Sequence, residues 1–204
     1  MIKVIIFDIG GVLINVNKEL RCEKLQKYSK LSKKEIHSIV FDKKNGLSNK
    51  FNEGRMSSYK FYELLCNKVD SKISYEKFKS LWNIAEITDK KINNLILKLK
   101  KNDYRLIILS NINDLHFNYI NKKYKNLIKN FDDFILSYKI RIRKPNDGIY
   151  KEAIKLSGCD PSQIVFIDDE KSNVMAAQKL GINIIQFKSV AQLEKDLLKL
   201  GVIL

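Results

Sequence analysis

Five short stretches carry residues whose types could do chemistry together: Asp8 followed by Ile9-Gly10-Gly11, then Ser110-Asn111, Lys144, Asp168-Asp169, and Asn173 just beyond. A carboxylate can attack phosphorus and form an aspartyl-phosphate, splitting one hard hydrolysis into two easier steps. Asp8 is the candidate nucleophile. Attack of one anion on another needs positive charge between them. Asp168 and Asp169, with Asp8 and the backbone carbonyl of Gly10, can supply the oxygen-rich, partly hydrated octahedron that Mg²⁺ prefers. Ser110 and the backbone N–H of Asn111 can donate to phosphoryl oxygens, and Lys144 adds a positive charge opposite the charge that develops on the transferred group. Asn173 can steady a metal-bound water.

Each residue also has an ordinary structural reading. An aspartate after a strand often forms a turn, and Ser110-Asn111 could cap a helix beginning near Asn113. Lys144-Pro145 could be a solvated loop, and Asp168-Asp169 could simply favour the positive end of the next helix. What separates the two readings is the set of elements that carry these residues. Val4-Ile5-Ile6-Phe7 is too short to span a membrane and too continuously apolar for a half-exposed strand, so it reads as a strand buried on both faces. Asp8 then stands at its carboxyl end, and two glycines let the backbone turn sharply there.

The same pattern recurs. Arg105 to Leu109 leads into Ser110-Asn111, Phe134 to Leu136 into Ser137, Ile164 to Ile167 into Asp168-Asp169, and Asn183 to Phe187 closes the series. Amphipathic stretches at Asp89 to Lys101, Pro145 to Leu156, Lys171 to Leu180 and Val190 to Leu200 have apolar residues at helical spacing. Pro145 suits the first turn of its helix, and Gly181 suits a helix stop. Strands alternating with helices predict a doubly wound parallel sheet, in which loops at the carboxyl strand ends share one crevice. Residues 17 to 85 break the rhythm. They show helical segments at Glu19 to Tyr28, Lys33 to Phe41, Ser57 to Val69 and Tyr75 to Trp82, and no convincing strand.

The segments FDIGGVL, LSNIND, RKPNDGIY and FIDDEKSN resemble, in order, the four motifs of the haloacid dehalogenase-like hydrolase superfamily. The likeness extends along essentially the whole chain. It is greatest to the branch that includes bacterial glucose-1-phosphate phosphatases and the phosphatase domain of soluble epoxide hydrolases. Phe51-Asn52-Glu53-Gly54-Arg55-Met56-Ser57, followed by Phe61, resembles a recurring cap segment of that branch. The resemblance implies an α/β fold with a Rossmann-like doubly wound parallel sheet as core, residues 1–16 and 86–204. An α-helical cap, residues 17–85, would be inserted after the first strand and sit over Asp8 as a lid. It implies Asp8, Ser110 and Lys144 as catalytic residues, and Ser110, Asn111 and Lys144 as phosphate-binding residues. Mg²⁺ would be held by Asp8, Gly10, Asp168 and Asp169, with Asn173 behind them. Cap residues near Glu53, Arg55 and Trp82 are expected to influence substrate choice, Trp82 rather through packing than by contact.

One residue departs from the family pattern. Most phosphatases of this superfamily carry a second aspartate two residues after the nucleophile, which protonates the leaving oxygen; here Gly10 stands there, as is common in the glucose-1-phosphatase branch. General acid–base help is worth about 10²–10⁴ in rate, so its absence bears most on poor leaving groups such as alkoxides. The leading reading is a Mg²⁺-dependent phosphatase acting on a small-molecule phosphate ester such as a sugar phosphate. A 2-haloacid dehalogenase would use the same aspartate but has no phosphoryl charge for Asp168-Asp169 and a metal to neutralise. A non-catalytic phosphate-binding or regulatory protein is favoured only by Gly10 and the basic surface.

Composition bounds the alternatives. The chain has 204 residues, 30% of them charged, only two prolines, and a net charge of +15. The lysines are scattered among many Asn and Ile rather than clustered in a nucleic-acid motif, so no nucleic-acid partner is expected, although a positive field would recruit anionic substrates. No stretch approaches the roughly 20 apolar residues of a membrane helix. MIKVIIFD runs straight into the catalytic strand, which leaves no room for a cleaved signal and predicts a cytoplasmic location. Cys22, Cys66 and Cys159 lack disulfide or zinc spacing. His37 and His116 lack partners at metal or triad spacing and read as structural or surface residues. Oligomeric state has no signature in the sequence.

Overall fold

A computed structural model describes residues 1–204. The chain begins with strand β1 (Val4–Phe7) and the two-residue β2 (Ile14–Asn15), then runs through helices α1 (Lys18–Gln26), α2 (Lys33–Phe41), α3 (Leu47–Asn52), α4 (Ser58–Lys68) and α5 (Tyr75–Trp82). After β3 (Glu86–Ile87) come α6 (Lys91–Lys101), β4 (Arg105–Ser110), α7 (Asp114–Lys123), α8 (Lys125–Ile128), β5 (Asp133–Leu136), α9 (Ser137–Ile140) and α10 (Asp147–Ser157). The last elements are β6 (Ile164–Asp168), α11 (Lys171–Gln178), β7 (Asn183–Gln186) and α12 (Val190–Lys199).

The main sheet has the order β5-β4-β1-β6-β7, and every pairing in it is parallel. From the central β1 the chain fills one side through β4 and β5, then crosses to the other side for β6 and β7. The switch point therefore lies between β1 and β6, where a crevice opens beyond the carboxyl ends of the strands. Register levels the key residues: Phe7 pairs with Ile108 and with Ile167, and the Asp8 N–H donates to the Ile167 carbonyl at 3.0 Å.

The strands alternate their faces with the expected period of two. Ile5 and Phe7 join a core cluster of 30 buried residues with α6, α7 and α12, whereas Val4 and Ile6 join a cluster of 14 with α10 and α11. Helices α1 to α5 bury a third cluster of 12 residues among themselves, rich in aromatic side chains. Local capping explains why these short helices start where they do: Asn17, Ser32, Ser57 and Ser74 each accept a backbone N–H from the first turn. Both connections from this helical segment to the main sheet pass through the antiparallel pair β2–β3, where Ile14 faces Ile87. No helix is long and apolar enough to cross a membrane.

The helix predicted from Pro145 begins instead at Asp147, because the Asn146 side chain accepts the Gly148 N–H and makes Asn146 the cap. Pro145 lies just outside, after a cis peptide bond from Lys144. Elements α3, α8, α9, β2 and β3 are too short to show a period in the sequence.

Within the helical segment Phe61 is fully buried, stacked on Phe51 with ring centroids 4.4 Å apart and edge-on to Trp82 at 4.7 Å. Phe61→Ala is expected to lower the unfolding free energy by about 3–5 kcal/mol in urea titrations followed by tryptophan fluorescence. A loss well below that range would show that these helices do not pack as described.

Candidate active site

Asp8, Ser110, Lys144 and Asp168 meet at the carboxyl end of the sheet, where β1, β4 and β6 end side by side. The Lys144 ammonium lies 2.9 Å from Asp8 Oδ2 and 2.6 Å from Asp168 Oδ2, and it donates to the Leu109 carbonyl at 3.1 Å. It is sealed from solvent, as is Asp168. Asp8 Oδ1 accepts the Ile9 N–H at 2.7 Å, and the nearby Ser110 hydroxyl favours the Asp8 carboxylate. Asp168 accepts from the Glu170 N–H at 2.8 Å and from the Asn173 amide at 3.0 Å. Asn173 is itself fixed by its place in the first turn of α11, where its carbonyl accepts the Tyr150 hydroxyl at 2.9 Å.

The Asn111 side chain has a job its sequence position did not announce. Its amide donates to the Lys144 carbonyl at 2.9 Å and its oxygen accepts the Lys144 N–H at 2.8 Å, clamping the backbone of the lysine to the end of β4. Its own backbone N–H has no partner within the protein, which leaves that donor available to a ligand.

Asp169 points into the same space but is more exposed. Gly11, at φ +76°, makes room for it: a Cβ on Gly11 would fall 2.3 Å from Asp169 Oδ2. One oxygen each of Asp8, Asp168 and Asp169 lie within 4.8 Å of one another. The Gly10 carbonyl accepts no hydrogen bond within the protein. A Cβ on Gly10 would meet nothing closer than Val16 Cγ2 at 3.9 Å, so the space beside this residue is open.

Charge in the site is out of balance. Burial pushes the Asp8 carboxyl up to about 7, against the pull of Lys144 and with the repulsion of Asp168. Burial and the neighbouring Asp168 also raise Asp169. Burial disfavours the Lys144 ammonium, but Asp8 and Asp168 together outweigh it and hold the lysine above its ordinary value. Three carboxylates face one ammonium, and hard oxygen donors around an uncompensated negative charge suit a small divalent cation.

A family model described as haloacid dehalogenase-like hydrolase matches residues 2–181. The chain belongs to that family. It is 28% identical over 206 residues to a D-ribitol-5-phosphate phosphatase of Bacteroides thetaiotaomicron, covering 97% of each chain. Among solved structures it resembles a HAD family enzyme of the same organism, an aspartate-to-alanine mutant in complex with magnesium and inorganic phosphate. There the TM-score is 0.84 at 27% identity, covering 95% of this chain and 99% of that one. A HAD-like hydrolase from Porphyromonas gingivalis matches with a TM-score of 0.81 at 27% identity over 98% of both chains. An L-2-haloacid dehalogenase from Xanthobacter autotrophicus, at 17% identity and a TM-score of 0.67, shares the fold.

Two further features of this haloacid dehalogenase-like chain bear on how its helical segment is held. His116 is buried, and both of its ring nitrogens lie within hydrogen-bonding range of Arg21 Nη2, at 3.3 and 3.1 Å. Burial and the adjacent Arg21 hold the imidazole well below its ordinary value, so it is neutral. Arg21 also donates to the Ile84 carbonyl and lies 4.9 Å from the Trp82 ring. Burial lowers its guanidinium to about 9. This joint links α1 to α7 across 95 residues, and nothing in the sequence signalled it. His37 sits at the surface, 3.6 Å from Glu19. Trp82 is buried in the aromatic cluster.

A carboxyl raised on folding keeps a proton that the unfolded chain has released, so stability falls as pH rises from 3.8 towards about 7. Without divalent cations, the protein is expected to lose stability relative to Asp8→Asn across that window and to run parallel to it above the window. Chemical unfolding of both proteins at a series of pH values in EDTA checks this. Parallel curves throughout would show that Asp8 is not raised.

Proposed function

We propose that this chain is a Mg²⁺-dependent phosphatase that hydrolyses a small phosphorylated polyol or sugar through an aspartyl-phosphate on Asp8. The observation that carries this reading is the buried Lys144 ammonium between Asp8 and Asp168, with Asp169 alongside, at the switch point of the sheet. The phosphatase and the magnesium and phosphate complexes named among its relatives support it.

In this reading Asp8, Asp169, the Gly10 carbonyl and Asp168 would hold Mg²⁺, which when bound shields the carboxylates and a phosphoryl oxygen from one another. The Ser110 hydroxyl and the free Asn111 N–H receive phosphoryl oxygens, and Lys144 offsets the negative charge shared by Asp8 and the transferred group. Asp8 forms the O–P bond as the bond to the leaving oxygen breaks. Water then attacks phosphorus, releasing phosphate and restoring the carboxylate. Asn173 and the Glu170 N–H keep Asp168 oriented toward Lys144.

Residues 1–16 and 86–204 then form the catalytic core, and residues 17–85 form a cap over Asp8. Supporting contacts converge on the seam. The Asn52 side chain accepts from Asn113 at 2.8 Å, the Ser137 hydroxyl donates to the Asn52 carbonyl, and Lys43 pairs with Glu170 at 3.2 Å, next to Asp169. Glu53 lies between Arg55 and Arg143, the neighbour of Lys144, and places a charged group at the same seam. We place the protein in a reducing compartment, the cytoplasm, since its three cysteines are unpaired.

Asp8→Asn is expected to reduce phosphate release from p-nitrophenyl phosphate and sugar phosphates to background while leaving the circular dichroism spectrum unchanged. EDTA should abolish wild-type turnover and Mg²⁺ restore it. Turnover that survives in Asp8→Asn removes Asp8 from the role. The open space at Gly10 generates a second expectation: Gly10→Asp should raise turnover of alkyl phosphates by up to about 10²-fold and change p-nitrophenyl phosphate much less. An equal effect on both would show that protonation of the leaving oxygen is not what limits this enzyme.

A further inference from the structure

We infer that Ser137 is a positioning residue through which the helical segment sets the geometry of the phosphate-binding loop. Ser137 follows β5 directly, as Asp8 follows β1, yet no step of the proposed reaction uses it. It is fully buried. A buried hydroxyl needs partners, and this one has them on two separate stretches of backbone. Its oxygen accepts the Ile112 N–H at 3.0 Å, it donates to the Asn52 carbonyl, and the Ile112 carbonyl lies 3.1 Å away. A hydroxyl carries one proton, so the Asn52 and Ile112 carbonyls compete for it. The contact with Asn52 is the shorter, and the proton belongs there while the helical segment sits as it does.

Ile112 is the residue after Asn111, whose free N–H is assigned to a phosphoryl oxygen in the phosphatase reading. The peptide that joins them is held at its N–H by Ser137, while the Asn111 side chain is clamped to the Lys144 backbone. On the far side of Ile112, the Asn113 amide donates to Asn52 Oδ1 at 2.8 Å, and its oxygen caps α7 by accepting the His116 N–H at 2.9 Å. Asn52 is thus gripped at its carbonyl and at its side chain. One grip touches Ile112, and the other comes from the residue after it. Gly54 seats the same segment: its φ is +64°, and a Cβ on it would overlap the carbonyl of Tyr138, next to Ser137.

Withdrawal of Asn52 leaves the Ile112 carbonyl as the remaining partner for the Ser137 proton, on the same residue whose N–H that oxygen accepts. The hydroxyl then turns toward Ile112, and the Asn111–Ile112 peptide shifts with it. Donors aimed at developing charge act through placement, and a displacement on the order of 1 Å can cost about 10²-fold in rate. The loop therefore holds its working geometry only with the helical segment seated. Loss of this placement falls on turnover, since it weakens a contact made most strongly in the transition state.

The test uses Asn52→Ala in the full-length protein, which removes the acceptor for Asn113 and frees the carbonyl that Ser137 holds. Amide hydrogen exchange at Ile112, whose own partner is untouched by the substitution, is expected to quicken about tenfold. With p-nitrophenyl phosphate, kcat should fall about tenfold while KM stays within about twofold. Asn52→Asp keeps the acceptor and should recover most of kcat. Ser137→Ala should also lower kcat about tenfold, and combined with Asn52→Ala it should lower it by less than the product of the two. Unchanged exchange at Ile112 in Asn52→Ala, a raised KM with kcat unaltered, or full multiplication of the two losses each overturns the inference. If Ser137→Ala does not fold, the two Asn52 variants decide alone. The kinetic readouts rest on the phosphatase reading and the exchange readout does not, so a wild type without turnover refutes that reading and leaves Ile112 exchange to judge the link between segment and loop.

Discussion

A single ammonium group, Lys144 Nζ, lies between Asp8 and Asp168 without access to water, and the carboxyl end of the sheet is organised around it. Burying one charge costs several kcal/mol unless partners replace its hydration, and removing a partner from such a pair costs about 3–5 kcal/mol. That constraint reaches outward. Asp168 is oriented by Asn173 and the Glu170 N–H, and the lysine backbone is clamped by Asn111. The strands beneath supply the rigidity: fully buried apolar runs on both faces of β1, β4 and β6 leave no slack through which the carboxylates could separate. Because the ammonium neutralises only one of three acids, the site retains an excess of negative charge that a divalent cation would complete.

Around this centre the molecule separates tasks between two kinds of contact. The helices between β2 and β3 bury their own aromatic cluster, so their stability comes largely from within. Their attachment to the sheet is polar and sparse by comparison, through Arg21 and His116, Asn52 and Asn113, and the β2–β3 pair. Polar joints of this kind hold a position through geometry and give way at lower cost than a packed apolar interface. The exposed ion pairs scattered elsewhere, such as Lys33 with Glu19 and Lys60 with Glu63, are screened by solvent, cost side-chain entropy to form and do not organise the fold. The large excess of lysine over acid therefore leaves much of the surface positively charged.

The candidate site was legible in the sequence to an unusual degree because each of its residues directly follows, or closely succeeds, a strand-like apolar run. Asp8, Ser110, Lys144, Asp168, Asp169 and Asn173 all converge in the fold. The reason is periodic: continuous apolar runs mark doubly buried strands, and their carboxyl ends fall at one edge of a parallel sheet. Readings that depended on local competition were less secure. Pro145 looked like a helix start, but the Asn146 side chain captured the Gly148 N–H and moved the start to Asp147. Segments as short as α3, α8 and α9 carry too few residues for a period to emerge.

By itself the sequence determined the alternation of strands and helices, the run of helices without strands between β2 and β3, and the order of the acidic and basic residues along the strand ends. These depend on the spacing of apolar residues and on turn and cap chemistry, which act over a few positions. Only the tertiary structure decided that the Asn111 side chain clamps Lys144, that Gly11 is needed because the Asp169 carboxylate occupies the place of its Cβ, and that His116 is a neutral partner of Arg21. It likewise decided that the Ser137 hydroxyl stands between Ile112 and Asn52. Such pairings join residues tens of positions apart, and their free energy comes from desolvation and exact approach, quantities that exist only once the chain has closed on itself.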